Sequence, residues 1–154
     1  MPDRLLLDSN VLIYAVDRAD PRKHMLAVAV VLDARSTGTG RVSFQVVHEW
    51  VNFLLRKSAK PLTPADVGRL YETLVQPLIR VESSRSLLET ALSIHATEKL
   101  SWWDSLIVSA AIEGECARLI TEDLQHGQVI RGVRIENPFL SPPELRHFPA
   151  ATVP

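Results

Sequence analysis

At 154 residues, with 46% hydrophobic and 23% charged side chains, the chain can bury one core but not two, and it carries no fibrous or disordered signature. Seventeen basic against eighteen acidic residues leave a formal charge of −1, which excludes a global attraction for a polyanion, so local patches or metal ions must hold any nucleic acid. No apolar run is long enough to span a membrane, Met1 to Asp8 has no signal-peptide core, and the single Cys116 excludes an internal disulfide and a two-thiol zinc site, so a cytoplasmic protein with Cys116 in its core is expected.

In chain order, Arg4-Leu5-Leu6-Leu7 reads as a buried strand that stops at Asp8-Ser9-Asn10, and Val11 to Val16 then reads as a short helix. Pro21 opens a second helix, from Arg22 to about Ser36, closed by Gly38 and Gly40. Arg41-Val42-Ser43-Phe44 predicts a second strand. From Gln45 to Lys57 the apolar residues Val46, Val47, Trp50, Val51, Phe53, Leu54 and Leu55 recur with helical period. Thr63-Pro64-Ala65-Asp66 has the chemistry of a helix start, and that helix runs to about Val75. Leu78 to Val81 predicts a third strand, Ser84 to about Lys99 and Trp103 to Glu113 two helices, Arg118 to Thr121 a fourth strand, and Val129 to Ile135 contains the last. Strands alternating with helices require right-handed crossovers and a mainly parallel sheet covered on both faces, an α/β sandwich. The expected domain covers 1–139. The tail 140–154, with Pro142, Pro143, Pro149 and Pro154, reads as extended chain.

In such a sheet the ligand crevice lies beyond the carboxyl ends of the strands. Asp8 ends the first strand, Asp123 follows the fourth, Asp104 heads a helix, and Glu49 lies early in the helix after the second strand. If they converge, these four carboxylates raise one another's pKa values, and a divalent cation relieves the conflict. An oxygen-only donor set suits Mg²⁺ or Mn²⁺, and bound metal turns an acidic pocket into one that accepts a phosphodiester. Each acid also has a purely structural reading. Asp8 and Ser9 can cap the helix that follows; Ser101-Trp102-Trp103-Asp104 resembles a capping box; Glu49 falls at the edge of a polar stripe; Asp123 can be a turn residue before Gly127. The helix headed by Asp104 is apolar nearly all round, so it should be buried and its leading carboxylate needs donors or a cation.

Leu6-Leu7-Asp8-Ser9-Asn10-Val11-Leu12-Ile13-Tyr14, Gln45-Val46-Val47-His48-Glu49, Trp103-Asp104-Ser105-Leu106-Ile107 and Ile120-Thr121-Glu122-Asp123-Leu124-Gln125-His126-Gly127, in this order, closely resemble PIN-domain proteins, especially VapC-type toxins. The similarity runs from Leu5 to about Phe139. It implies a PIN-like three-layer α/β/α sandwich and a Mg²⁺-dependent endoribonuclease, with Mn²⁺ as a substitute, acting as the toxin of a toxin–antitoxin pair. Position by position, Asp8, Glu49, Asp104 and Asp123 match the family's acids, with Glu122 the rival for the fourth. Asn10 matches its usual asparagine, and Ser9 stands where many members have Thr. The resemblance further implies a metal-activated water that attacks the RNA phosphodiester in line, a homodimer, and a cognate antitoxin that blocks the acidic groove.

Arg18, Arg22, Lys23, Arg56, Lys57 and Lys60 lie near the motifs and could steer phosphate, although charges on helix faces are commonly just solvated. His24, His48, His95, His126 and His147 form no metal-binding pair at helical spacing, and no glycine-rich phosphate loop occurs, which disfavours a zinc hydrolase and a P-loop enzyme. Asn10 stands where a phosphatase built on Asp8 would carry its second Asp. The alternative of a different class is a PIN-like module that binds RNA or protein without cutting.

Overall fold

Strand β1 (Leu5–Leu7) is three leucines with almost no solvent exposure, and such a run is stable only with a partner on each side. The computed structural model, which describes residues 3–140, supplies both. Parallel to β1 lie β2 (Gly40–Ser43) on one flank and β4 (Arg118–Ile120) on the other, with Leu5, Leu6 and Leu7 opposite Arg118, Leu119 and Ile120. Strand β3 (Ile79–Val81) extends the sheet beyond β2, and β6 (Val133–Glu136) pairs parallel to β4, giving the order β3-β2-β1-β4-β6-β5. Only β5 (Val129–Ile130) runs antiparallel.

The helices are α1 (Ser9–Tyr14), α2 (Pro21–Ser36), α3 (Phe44–Asn52), α4 (Pro64–Leu70), α5 (Arg85–Glu98) and α6 (Trp102–Glu113). Helices α2 and α3 pack on β2, while α6 packs on β1, β4 and β6 and pairs along its length with α5. Gly40 permits the close approach of α2, since a Cβ there would stand 2.8 Å from the Ala34 Cβ. Fully buried Trp50 donates its indole N–H to the Leu12 carbonyl at 3.2 Å, which ties α3 to α1. The architecture is the expected α/β sandwich with a mainly parallel sheet.

Three local expectations change. Phe44 starts α3 instead of ending β2, because the Ser43 hydroxyl accepts the Val46 N–H and caps the helix. The long helices predicted from Gln45 and Pro64 each finish in a π-helical turn, Phe53–Lys57 and Tyr71–Val75, and a short 3₁₀ turn, Gln76–Leu78, precedes β3. The single last strand is a hairpin. Arg131 and Gly132 both take positive φ, 48° and 85°, the geometry of a two-residue turn whose twist matches the flanking strands. Arg131 is held there by donating to Ser93 Oγ and Thr97 Oγ1, both at 2.9 Å. The extended tail expected for 140–154 lies, beyond Leu140, outside the described residues. Cys116 is buried as expected, and burial pushes its thiol up to about 12, so little thiolate forms at neutral pH. No helix among the described residues is long and apolar enough to cross a membrane.

Candidate active site

Because Leu7 stands opposite Ile120, the next residues of the two central strands, Asp8 and Thr121, emerge side by side at the carboxyl edge of the sheet. Asp8 caps α1: its Oδ1 accepts the Ser9 N–H at 2.7 Å. Its Oδ2 accepts the Thr121 hydroxyl at 2.8 Å. The Thr121 oxygen in turn accepts the Asn10 amide and the Asp123 backbone N–H, both at 3.1 Å. Asn10 Nδ2 also donates to Asp123 Oδ2 at 3.1 Å. With both its hydrogens engaged, the 3.5 Å approach of Nδ2 to Asp8 Oδ2 is electrostatic and not a third hydrogen bond. Thr121, fully buried, is thus the hub linking Asp8, Asn10 and Asp123. Sequence reading missed it, because a threonine closing a strand looks like an ordinary β-former.

Glu49 reaches the same crevice from α3. It is exposed, as its place on the polar stripe suggested, yet both its oxygens are held: Oε2 by the Ser9 hydroxyl at 2.6 Å and Oε1 by the Gln45 amide at 2.9 Å. Asp104 occupies its anticipated cap. Its N–H donates to Ser101 Oγ at 3.1 Å and its Oδ2 accepts that hydroxyl at 2.8 Å. Thr63 and Asp66 form the matching structural cap of α4, closed by an Arg69–Asp66 ion pair.

The neighbouring acids Glu122 and Asp123 face apart. Glu122 accepts from Lys23 Nζ at 2.6 Å, and that ammonium lies over the rings of Tyr14 and Phe139, 4.9 and 5.3 Å from their centroids. Arg22 donates to the Phe139 carbonyl at 2.8 Å. Two of the six cations considered for phosphate steering are therefore engaged in structure, whereas Arg18, Arg56, Lys57 and Lys60 stay exposed. Histidines 24, 95 and 126 each hydrogen-bond a backbone group, consistent with a structural role.

Burial pushes the Asp8 carboxyl up from its ordinary 3.8 to about 6; the Thr121 and Ser9 hydrogen bonds oppose this, and the charges of Asp123 and Glu49 add to it. Asp123 is raised too, chiefly by burial, against its Asn10 hydrogen bond and with the charges of Glu122, Asp104 and Glu49 behind it. The four carboxylates therefore share one electrostatic field, although no three acidic, histidine or cysteine side chains among the described residues converge closely enough to surround one ion. Asn10 Oδ1 is buried and accepts no hydrogen bond. A costly buried carboxylate, an orphan amide oxygen and an oxygen-only donor set all suit a hard divalent cation.

The PIN domain family model matches residues 5–131. Among solved structures, a toxin–antitoxin complex from Klebsiella pneumoniae matches at 18% identity, covering 84% of this chain and 94% of that one with a TM-score of 0.59. VapBC2 from Rickettsia felis, bound to a DNA fragment from its promoter, matches at 18% identity over 86% and 97% with a TM-score of 0.61. At that identity these likenesses show a shared fold. A comparison with curated proteins finds no match. With a family match over most of its length, a mainly parallel sheet as expected and Asp8 at the end of its central strand, the chain belongs to the PIN-domain family, whose members are generally nucleases that typically use divalent metals.

Proposed function

We propose that this chain is a Mg²⁺-dependent endoribonuclease and the VapC-type toxin of a toxin–antitoxin pair, working as a homodimer held in check by its antitoxin. The observation that carries the reading is the hydrogen-bonded set Asp8–Thr121–Asn10–Asp123, with Glu49 held at its rim, at the carboxyl edge of the sheet. The fold shared with the Klebsiella pneumoniae toxin–antitoxin complex and with VapBC2 from Rickettsia felis supports the antitoxin partner.

Asp8, Glu49, Asp104 and Asp123 would hold the cation, which must draw them closer together than they stand in the metal-free chain. Bound there, Mg²⁺ supplies a lowered water pKa and positive charge for the phosphodiester oxygens. The chain's own residues do the positioning. Thr121 and the Ser9 N–H fix both oxygens of Asp8, so its carboxylate cannot rotate away; Asn10 fixes Asp123; Ser9 and Gln45 fix Glu49. Each carboxylate keeps lone pairs to spare after these bonds. Such chemistry leaves a 5′-phosphate and a 3′-hydroxyl and needs no RNA 2′-hydroxyl, so preference for RNA arises outside the acids.

Antitoxin-free protein incubated with structured and single-stranded RNAs under Mg²⁺, Mn²⁺ or EDTA should cut only with metal, and Asp8→Asn and Asp104→Asn should abolish the cuts. Cuts that persist in both variants would sink the assignment, while binding without cutting would favour the non-catalytic module. The fourth acid has its own test. Glu122→Gln should leave the cleavage rate within about twofold, whereas Asp123→Asn should lower it by about tenfold or more, the scale on which metal-site partners act; the reverse order would make Glu122 the ligand.

A further inference from the structure

Beyond the ends of β2 and β3, between α3 and α6, lies an open groove of about 610 Å³. Its size falls within the roughly 300–1,000 Å³ of pockets that enclose small organic groups. Glu49 lines it as well as the carboxylate cluster, so whatever enters is a neighbour of the reacting phosphodiester. On the α6 side stands Trp103, 64% exposed and directly before Asp104; on the α3 side stands Phe44, 37% exposed. Two aromatic faces bordering one groove, contributing little to the core, are a platform for a flat ring.

The polar lining says which ring. Glu49 and Glu82 line the groove as carboxylates, His48 is the ionisable donor beside them, and no lysine or arginine lines it, so a phosphate is disfavoured. The Asn52 side chain makes no hydrogen bond to any described residue, and Gln45 commits its amide nitrogen to Glu49, which leaves its carbonyl free to accept. The groove therefore offers aromatic faces plus acceptors, and it suits an uncharged planar group that donates hydrogen bonds.

We propose that this groove is a nucleobase subsite: an unpaired base next to the scissile phosphodiester stacks on Trp103 and presents an exocyclic amine to Glu82, with Asn52 and Gln45 along its edge. This rests on the ribonuclease reading above and adds a base preference, with adenine, cytosine and guanine favoured over uracil, which has no exocyclic amine. A base paired in a duplex cannot enter, because its edge and both faces are already taken.

The test is equilibrium binding of short end-labelled oligo(A), oligo(C) and oligo(U) strands, and of an RNA duplex, to the full chain in EDTA, followed by anisotropy and tryptophan emission. Oligo(A) and oligo(C) should bind more tightly than oligo(U), the duplex should not compete, and bound strands should quench emission. Trp103→Ala should abolish most of the quench and weaken binding by roughly five- to a hundredfold, the range measured for loss of one stacked base, while Trp103→Phe restores most of it. Glu82→Gln should narrow the preference over oligo(U). In Mg²⁺ the Trp103→Ala defect should fall on KM. Trp103 is too exposed for its loss to threaten the fold. Unchanged binding and KM in Trp103→Ala, alongside intact metal-dependent cleavage by the parent, would overturn the subsite and leave the nuclease standing. A parent that neither binds nor cuts any RNA would overturn both. A Trp103→Ala variant that sediments as a smaller species with unchanged RNA binding would give the groove to a second copy of the chain and overturn the subsite.

Discussion

In EDTA at pH 7, Asp8→Asn should unfold at higher denaturant than the parent chain while its RNA cleavage falls by more than the roughly 10–100-fold that loss of an outer partner costs. The two effects have one cause. Burial holds the Asp8 carboxyl at about 6 against an ordinary 3.8, so above pH 6 the folded, metal-free protein carries a carboxylate whose ionisation costs more than it does in the unfolded chain. At about 1.4 kcal/mol per pH unit, this destabilises the folded state by about 3 kcal/mol. Asn removes that penalty but loses one hydrogen bond, because either the Ser9 N–H or the Thr121 hydroxyl must then face an amide N–H, at about 1 kcal/mol. The net gain is about 2 kcal/mol. Its sign follows from proton binding: between about pH 4 and 6 the folded chain holds more protons than the unfolded one, so the parent's stability falls as pH rises through this window. The gap between variant and parent should therefore be full above pH 6, shrink as pH falls, and reverse by about 1 kcal/mol near pH 4, where only the lost hydrogen bond remains. Adding Mg²⁺ should reverse the ranking at pH 7 by stabilising only the parent. A variant less stable than the parent throughout in EDTA would show that Asp8 is satisfied without a cation.

Thr121→Val is the second variant with a large expected effect. Valine keeps the volume of a fully buried side chain, so packing is preserved and only the hydroxyl goes. That hydroxyl gives one hydrogen bond to Asp8 and receives two, from Asn10 and the Asp123 N–H. Its loss should cost about 1–3 kcal/mol for buried groups left unpaired, raise the Asp8 carboxyl further, and lower cleavage by about 10–100-fold through misplacement of Asp8 and Asp123. Denaturant melts and cleavage kinetics read the two losses separately, and Thr121→Ser should restore most of the rate by returning the oxygen. Wild-type cleavage in Thr121→Val would remove Thr121 from the machinery.

The fold was legible because its signals are local. The leucines of β1, the helical period from Val46 to Leu55 and the caps at Thr63 and Ser101 each state an element within a few residues. Positions of the acids relative to strand ends were legible for the same reason. What escaped depends on partners distant in sequence. Glu122 and Asp123 are adjacent acids with nothing in the sequence to rank them, and Lys23, 99 residues away, draws Glu122 aside. Thr121 matters only because β4 lies beside β1. The Arg131-Gly132 turn was hidden because arginine seldom takes a positive φ, and Ser93 and Thr97 of another element hold it there. Asp104 as a helix cap was readable; its place in the field of Asp123 was not.

The placement of β1 between β2 and β4 bears on when a newly made chain acquires its site. Asp8 leaves the ribosome early, but its partner Thr121 lies 113 residues later and reaches it only when β4 zips along β1. Parallel pairing across such a separation is a late folding event. Until it occurs, Asp8 has no hydroxyl to anchor it and Asn10 has no Asp123 to hold, so a partly synthesised chain lacks the site. The carboxylate set is complete only when the central strands close.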